Sequence, residues 1–268
     1  MSGRPEKRLR ISVVVPAWND QEDLVALLPM LANLDLHEII VVDASNDGKS
    51  SAFAQIAGAI LIRFPEPNRG GQMNCGAESA TGDVLIFHHA DTQLTDAHLQ
   101  AIRYAMDDPS VVGGAFYRKF DRRHPRLLWL EKIARFLTRH GGTFYGDQSI
   151  FIRREHFVAL GGYAKIPLME DVEFSKRLRA SGRVIVLDPP VQSSGRRHLH
   201  RGAWRTSMQN ALFVILYKCG ASPHGLHRWY YRDHRHANGE VTRELDPSTF
   251  RRKAKRGTSV NCPGEEAQ

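Results

Sequence analysis

Cysteine is scarce in this sequence of 268 residues, which contains three. Cys75, Cys219 and Cys262 lie far apart, and no Cys-x-x-Cys pair occurs. This number and spacing exclude the disulfide framework of a small secreted domain and the ligand pattern of a zinc module. We therefore expect a reducing compartment and a fold held together by an apolar core, for which the chain is long enough.

Long hydrophobic runs are also absent. The longest runs from Ala211 to Tyr217, far short of the roughly 20 apolar residues of a membrane-crossing helix. The segment from Met1 to Arg10 is polar and basic, and it lacks the apolar centre of a secretory signal. The sequence thus predicts a cytoplasmic chain that does not span a membrane.

Acidic residues are in short supply in only one part of the chain. The whole sequence has 37 Lys and Arg against 29 Asp and Glu, a net charge of +8. Residues 1–182 contain 22 of each sign, whereas residues 183–256 contain 15 basic and five acidic residues. The surplus therefore belongs to the C-terminal third, where it favours a phosphate-bearing ligand or an anionic membrane over a nucleic acid, since no nucleic-acid-binding pattern accompanies it.

Two nucleotide-binding fingerprints are missing, because neither Gly-x-Gly-x-x-Gly nor the P-loop pattern occurs. Apolar, β-branched runs nevertheless alternate with amphipathic segments, which predicts a doubly wound, mostly parallel α/β sheet flanked by helices. The predicted strands include 11–15, 39–42, 59–62 and 84–88, and the predicted helices include 70–80, 95–106, 125–139, 170–180 and 204–219. We expect one domain over residues 10–230 and a basic, polar, poorly ordered tail over residues 231–268.

Acidic side chains follow several of the predicted strands: Asp20, Asp43, Asp47 and Asp91. Ligands of doubly wound sheets bind at the carboxyl ends of the strands, so these carboxylates are candidates for nucleotide or cation binding. Helix capping and Asx turns are the structural alternative. His89 and Asp91 stand two residues apart after an apolar strand, so both side chains can face one Mg²⁺ or Mn²⁺ ion.

Three further segments carry candidate chemistry. The glycines that follow Arg69 allow an anion to approach a helix N-terminus. Glu170 and Asp171 open a helix, where they could complement the helix dipole or supply a general base. Arg196 and Arg197 lie in a basic loop that suits a phosphate-rich ligand, and His198 and His200 in the same loop are weak metal-ligand candidates.

These blocks together resemble a family 2 glycosyltransferase of the GT-A type over roughly residues 11–230. Pro16 to Asp20 resembles the family's opening Pro-x-x-Asn-Glu motif, with Asp20 where Glu is usual. His89 to Thr92 lies at the place of the DxD metal motif, with His89 replacing the first Asp. Other matching blocks are residues 41–48, 69–83, 146–148 and 170–171. Three blocks are similar to those of bacterial radical-SAM/selenodomain-associated transferases: the His-Ala-Asp-Thr sequence, Gln72 to Asn74, and the Ser-Ser-x-Arg-Arg sequence at residues 193–197.

The resemblance implies transfer of a sugar from a nucleotide-diphosphate donor, a UDP-sugar by preference, to an acceptor hydroxyl, with inversion. It implies that the donor is bound by a set of eight residues, Pro16, Ala17, Asp20, Asp43, Arg69, Asn74, Arg196 and Arg197. It implies a divalent cation, Mg²⁺ or Mn²⁺, on Asp91 and His89. Asp171 would be the general base with Glu170 beside it, and Asp147 and Gln148 would lie on the acceptor side.

Other functions remain open at the level of sequence. A sugar-phosphate nucleotidyltransferase would need a Gly-rich basic motif after the first strand, where this chain has Pro16 to Asn19. A non-enzymatic module for nucleic acid or membrane would use the basic C-terminal third. The apolar segment from Ala203 to Cys219 is a core or dimer-interface helix, or a helix that lies on an anionic membrane surface and meets a lipid-linked acceptor.

Overall fold

The computed structural model describes residues 8–45, 54, 57–121, 124–193 and 203–238. The sequence-predicted candidates Asp47, Arg196, Arg197, His198 and His200 lie outside these ranges. In the described residues the strands are β1 (Ile11–Ala17), β2 (Glu38–Asp43), β3 (Ile60–Arg63), β4 (Val84–Phe87), β5 (Thr92–Gln93), β6 (Val111–Phe120), β7 (Ile150–Arg153) and β8 (Arg183–Ser193). The helices are α1 (Gln21–Ala32), α2 (Arg69–Ser79), α3 (Asp96–Met106), α4 (Pro125–Arg139), α5 (Arg154–Ala159), α6 (Glu170–Ser181), α7 (Ala203–Lys218) and α8 (Pro223–Asn238).

The eight strands of this part of the chain form one sheet in the order β3-β2-β1-β4-β7-β6-β8-β5. The first four strands in that order are parallel, so the carboxyl ends of β1, β2 and β4 meet at one edge. β7 is antiparallel to both of its neighbours, whereas β6 and β8 are parallel. The sheet is therefore mixed, and its parallel half carries the strand ends that the sequence singled out.

Helices cover both faces of the sheet, because the central strands are apolar on both sides. On one face, β1 packs against Leu24, Leu28 and Leu31 of α1 and against α3. On the other face, the strands pack against Met73 of α2 and Phe174 of α6. The predicted α/β fold class, with helices on both sides of the sheet, is confirmed.

Helix α2 lies close to the sheet because glycine replaces a side chain at the contact. A Cβ built on Gly76 would lie 2.4 Å from Cγ1 of Val14 on β1. The N-terminus of α2 thereby comes close to the carboxyl ends of β1 and β2. Any larger residue at position 76 would push the helix away from these strand ends.

The structure adds details that the sequence did not predict. Helix α8 continues to Asn238, so the predicted boundary at residue 230 falls inside a helix. None of the helices in the described ranges has the length and apolarity that crossing a bilayer requires. Cys219 is free and exposed. Cys75 is disulfide-bonded, which the small number and wide spacing of the cysteines did not predict.

Candidate functional site

Gln72, a buried residue of α2, joins the carboxyl ends of β1 and β2. Its side-chain amide donates hydrogen bonds to the carbonyl oxygens of Ala17 and Val42, each at 2.8 Å. Ala17 is the last residue of β1 and Val42 is the last but one of β2, so the amide fixes the distance between the strand ends. The predicted donor residues Pro16 and Ala17 are both buried at this edge, where they offer backbone rather than side chain.

Asp43 is fully buried at the end of β2 and has two protein partners. Its carboxylate accepts a hydrogen bond from the backbone N–H of Ser45 at 2.9 Å. It also forms an ion pair with Arg63 at the end of β3, with a distance of 2.6 Å between Nη1 and Oδ2. A buried carboxylate needs such pairing to remain charged. Asp43 therefore organises the edge of the sheet together with Arg63, to which the sequence analysis assigned no role.

Asp20 lies at the N-terminus of α1, directly after β1. Its carboxylate accepts a hydrogen bond from the backbone N–H of Trp18 at 3.0 Å. The turn that contains it is held by a second bond, from the N–H of Asn19 to the hydroxyl of Ser45 at 2.8 Å. Asn19 adopts a left-handed conformation with φ of 56°. The turn after β1 is thus tied to the turn after β2, as a shared nucleotide pocket would require.

The N-terminus of α2 faces α6. Asn68 caps α2 through a 2.8 Å hydrogen bond from the N–H of Gly71. Arg69 is exposed and its Nη1 lies 3.7 Å from Oε1 of the buried Glu170. A Cβ built on Gly70 would lie 2.7 Å from the carbonyl oxygen of Ala164, so glycine is required for this approach. The structure thus brings Arg69 next to the acidic pair of α6.

Asn74, predicted to bind the nucleotide-sugar donor, forms side-chain hydrogen bonds with protein backbone. Its Nδ2 donates to the carbonyl of Tyr163 at 2.8 Å, and its Oδ1 accepts from the N–H of the same residue at 2.7 Å. Both ends of the amide therefore bind one peptide segment. The arrangement clamps α2 to the loop before α6, and donor binding by Asn74 stays a prediction.

His88 is buried directly after β4 and bridges two segments. Its Nδ1 shares a 2.8 Å hydrogen bond with the hydroxyl of Ser149, and its Nε2 lies 2.9 Å from the carbonyl of Thr92. Burial lowers the pKa of His88 to about 4, since water no longer stabilises the charged imidazolium. A neutral histidine therefore fixes the loop that carries His89 and Asp91.

Three predicted site segments meet at Gly146. A Cβ built on this glycine would lie 2.4 Å from Nε2 of His89, so the imidazole packs directly against the Gly146 backbone. The N–H of Gly146 donates a 3.0 Å hydrogen bond to Oδ2 of Asp171. The turn at residues 146–148 therefore contacts the loop after β4 on one side and the start of α6 on the other. The site is continuous from the candidate metal residues to the candidate base.

The side chain of Asp171 has a pKa that is unusual for a carboxyl group. Burial, and after it the like charge of the neighbouring Glu170, raise the pKa of this carboxyl to about 7. The N–H groups of Gly146 and Val172 and the guanidinium of Arg69 act in the opposite direction. A carboxyl with this pKa takes and releases a proton near neutral pH, which is the property of a general base.

Asp147 and Gln148, the predicted acceptor-side residues, lie in the turn that precedes β7. Asp147 forms an ion pair with Arg118 of β6. Gln148 is buried, and its Nε2 donates to the carbonyl of Phe116 at 3.1 Å. Its Oε1 accepts from the N–H of Tyr145 at 2.9 Å. Gln148 therefore supports the turn, while the exposed ring of Tyr145 lies at its start.

Asp91 is half-buried at the carboxyl end of β4, close to the end of β8. Thr92 pairs with Ser193, the last residue of β8, so the basic loop of the sequence begins beside Asp91. Among the described residues no group of three or more His, Cys, Asp or Glu could hold a metal ion. Mg²⁺ needs only one or two carboxylates when substrate phosphates supply the other ligands, and Asp91 fits that role. His89 fits it less well, because Nε2 faces Gly146.

A comparison with protein families decides the assignment. The model of the family described as "Glycosyl transferase family 2" matches residues 12–161, more than half of the chain. The chain belongs to glycosyltransferase family 2.

Two curated relatives of this glycosyltransferase differ in how much they share with it. The 4,4'-diaponeurosporenoate glycosyltransferase of Staphylococcus haemolyticus is 33% identical over 101 residues, which cover 34% of this chain and 27% of that enzyme. The chain thus spans about a quarter of that relative. The uncharacterized protein MT1568 of Mycobacterium tuberculosis is 29% identical over 234 residues, covering 74% of this chain and 70% of the relative.

Solved structures share the fold of this glycosyltransferase. The mannosyltransferase PcManGT of Pyrobaculum calidifontis, in complex with GDP-Man and Mn²⁺, has a TM-score of 0.61 at 23% identity, covering 83% of this chain and 68% of that chain. TarS 1–349 of S. aureus in complex with UDP-GlcNAc has a TM-score of 0.57 at 18% identity, covering 70% of this chain and 59% of that chain. Both likenesses support the GT-A fold.

Sequence reasoning missed several residues of the site. Arg118 was not singled out, although it forms an ion pair with the predicted site residue Asp147. Arg63, which pairs with Asp43, was marked only by its position directly after a predicted strand and was given no role. Gly146 was noted only as the first residue of the motif at residues 146–148, and the residues next to it in sequence do not indicate that it contacts His89.

Proposed function

We propose that this chain transfers a sugar from a nucleoside-diphosphate sugar, a UDP-sugar in the first instance, to the hydroxyl of an acceptor. Membership of glycosyltransferase family 2 supports the reaction class. GDP-Man and UDP-GlcNAc in the two structural neighbours support a nucleotide-sugar donor. The reaction would be one in-line displacement at the anomeric carbon, so the product would have the inverted configuration.

The proposal rests chiefly on the position of Asp171 and on the raised pKa of its carboxyl group. Its carboxylate lies one hydrogen bond from Gly146, against which the loop of the candidate metal residues packs. A pKa of about 7 leaves a large part of the side chain ionised at neutral pH, ready to accept the proton of the acceptor hydroxyl. Glu170 contributes by keeping that pKa high.

The donor would lie across the carboxyl ends of β1, β2 and β4. Pro16, Ala17, Asp20 and the Asp43–Arg63 pair would border the nucleoside, and Arg69 would face the diphosphate from α2. Asn74 would hold the helix in place. We further propose that Arg196 and Arg197, which lie outside the described residues, neutralise the diphosphate as it leaves.

Asp91 would hold the divalent cation, Mg²⁺ or Mn²⁺, with the donor phosphates as the remaining ligands. When bound, the cation supplies positive charge that stabilises the leaving diphosphate. His89 is kept as a second candidate ligand. Because Nε2 faces Gly146, coordination through it would require that the ring move.

The decisive experiment compares transfer with donor binding in the Asp171→Asn variant. We expect this variant to lose transfer while binding of UDP or GDP in the presence of Mn²⁺, measured by calorimetry, is unchanged. Glu155→Gln, which neutralises an exposed acid at the start of α5, is the matched control and should keep both properties. Loss of nucleotide binding in Asp171→Asn would place this residue on the donor side instead. No binding of any nucleoside diphosphate by the unmodified chain would refute the proposed function.

Three finer points are also proposals. The radical-SAM-associated subgroup is supported by three short blocks of sequence, at residues 72–74, 89–92 and 193–197. A cytoplasmic location and hexosyl transfer likewise remain predictions. The configuration of the product, read by proton NMR of the transferred sugar, separates an inverting from a retaining reaction.

A further inference from the structure

Helix α4 exposes an apolar stripe to solvent. Trp129 and Phe136 are 63% and 61% exposed, and Ile133 lies between them on the same side of the helix. Leu128 and Leu137 widen the stripe. The opposite side of α4 packs inward through Leu127, which is fully buried against Phe120. The helix is therefore apolar on both sides, whereas a surface helix of a globular protein normally presents polar residues to water.

Helix α7, which contacts α4, repeats this pattern. Met208 is 67% exposed, and Leu212 and Ile215 follow it at intervals of four and three residues. The inward side of α7 is represented by Phe213, which is buried against Trp229 of α8. We call the exposed apolar residues of the two helices the α4–α7 face; they are Leu128, Trp129, Ile133, Phe136, Leu137, Met208, Leu212 and Ile215.

The exposed charged side chains that α4 and α7 themselves contribute are cations, and one exposed acid outside them, Asp188, is paired with Arg135 of α4. Lys132 and Arg139 lie on the exposed side of α4, and Lys218 is exposed at the end of α7. The segment 203–218 contains no Asp or Glu, and α4 contains only Glu131. The carboxylate of Glu131 is turned inward, where it accepts a 2.6 Å hydrogen bond from the N–H of Phe120. The face therefore combines apolar side chains with cations.

We propose that the α4–α7 face binds the surface of an anionic lipid bilayer. Aromatic and aliphatic side chains would enter the boundary between headgroups and acyl chains, while the cations meet anionic headgroups. Lys and Arg reach the headgroups with their charged ends as their stems cover apolar surface. A second copy of the chain is a poorer occupant, because a two-fold contact would bring the exposed cations of this face toward the same cations of the other copy, and the exposed Asp188 is already paired with Arg135.

The inward side of α4, opposite the α4–α7 face, borders the turn that contains the predicted acceptor-side residues Asp147 and Gln148. The hydroxyl of Thr138, in the last turn of α4, is 3.4 Å from Nε2 of Gln148, which supports the turn at Asp147. A bilayer against α4 would thus present a lipid-linked hydroxyl near the site. This link alone rests on the proposed function, whereas the membrane contact does not depend on it.

The test is sedimentation of the full-length chain with vesicles of phosphatidylcholine alone and of phosphatidylcholine with phosphatidylglycerol. We expect binding to the anionic vesicles only, weakened about tenfold or more in Trp129→Ser/Phe136→Ser because the apolar contact is lost. Lys132→Glu should weaken binding by at least about fivefold, since each cation near an anionic surface adds to affinity. Tyr104→Ser/Val158→Ser removes comparably exposed apolar groups elsewhere and is the matched control.

A second measurement locates the contact even if a serine variant folds poorly. Trp129→Phe keeps the apolar character, so it should bind as the unmodified chain does but lose most of the tryptophan quenching caused by brominated lipids. Equal vesicle binding by the unmodified chain and the double serine variant would overturn the proposal. So would a dimer in light scattering that the double variant converts to a monomer, with no vesicle binding by either.

Discussion

A side chain at position 146 would have to occupy the space of the His89 imidazole. The N–H of the same residue donates to Asp171, so the backbone of one glycine joins the β4 loop to the start of α6. Sequence motifs mark residues 146–148 as acidic and polar, but they do not explain why the first of them is glycine. The reason is a close approach of two segments that are distant in sequence.

Gly146→Ala tests this contact. The new methyl group would displace His89 or the turn, and we expect a loss of about 1–3 kcal/mol of unfolding free energy, a typical penalty for overpacking. Transfer should fall with it, since Asp171 loses a fixed hydrogen-bond donor. Gly225→Ala, where the nearest neighbour of the new Cβ would be 3.9 Å away, is the control and should be at least as stable as the unmodified chain. Chemical denaturation measures both, and equal stability of the two variants would contradict the contact.

The titration of Asp171 predicts the pH dependence of the reaction. A base must be ionised to accept a proton, so kcat should rise with pH up to about 7 and level off above it. Glu170→Gln removes a like charge that raises the pKa of Asp171, so the acid limb should move to lower pH. The pH profile of kcat measures this shift, and a shift to higher pH would disprove the assigned coupling.

At the level of elements, α2 is held to the rest of the site by polar contacts as well as by packing. Gln72 joins it to β1 and β2, and Asn74 joins it to Tyr163. The sequence predicted α2 from its pattern, and it marked Asn74 as a donor residue because of the family motif. Which atoms the amide binds depends on the path of the chain before α6, which no local pattern encodes.

Asn74→Ala distinguishes the two roles of this residue. If it clamps α2, the variant leaves the N–H and carbonyl of Tyr163 without their partner, at a loss of about 1–3 kcal/mol of stability. We expect nucleotide affinity to change little once the protein is folded. Melting curves and calorimetry with UDP separate stability from affinity. A variant that is as stable as the unmodified chain but has lost its affinity for UDP would instead support direct contact between Asn74 and the nucleotide donor.

Elements were predicted best where the pattern was strongest. The apolar β-branched runs of β1, β2 and β4 indicated buried strands, and the structure confirms them. Helix α8 was not predicted, and its residues 231–238 were expected to be poorly ordered, because this part of the sequence is polar and basic. Contacts of Phe213 with Trp229 and Tyr230 anchor that helix, and packing of this kind overrides composition.

For the whole molecule, buried His88 links stability to pH. In the folded state its pKa is about 4, whereas an unfolded histidine titrates near 6.5. Above pH 6.5 this histidine is neutral in both states, so it does not reduce stability there. As the pH falls from about 6.5 to 4, the unfolded state binds a proton at His88 that the folded state does not, and this residue alone lowers stability by roughly 3 kcal/mol.

His88→Gln should remove the loss of stability that His88 causes between pH 6.5 and 4, because glutamine does not titrate and can still bond to Ser149 and Thr92. Denaturant titrations at several pH values measure the slope. His156→Gln, at a partly buried histidine on α5 that bonds to Ser181, is the control and should keep the slope of the unmodified chain. An unchanged slope in His88→Gln would show that His88 is not the group responsible.

The sequence by itself determined the alternation of strands and helices, the acids that follow the strands and the blocks that mark the glycosyltransferase family. These features are local, because burial periodicity, turn chemistry and motif spacing are properties of neighbouring residues. Only the tertiary structure decided that Gly146 lies between His89 and Asp171, that Arg63 pairs with Asp43, and that α4 and α7 expose apolar stripes. Such contacts join segments far apart in the chain, and burial, which raises the pKa of Asp171 and lowers that of His88, exists only once those segments have packed.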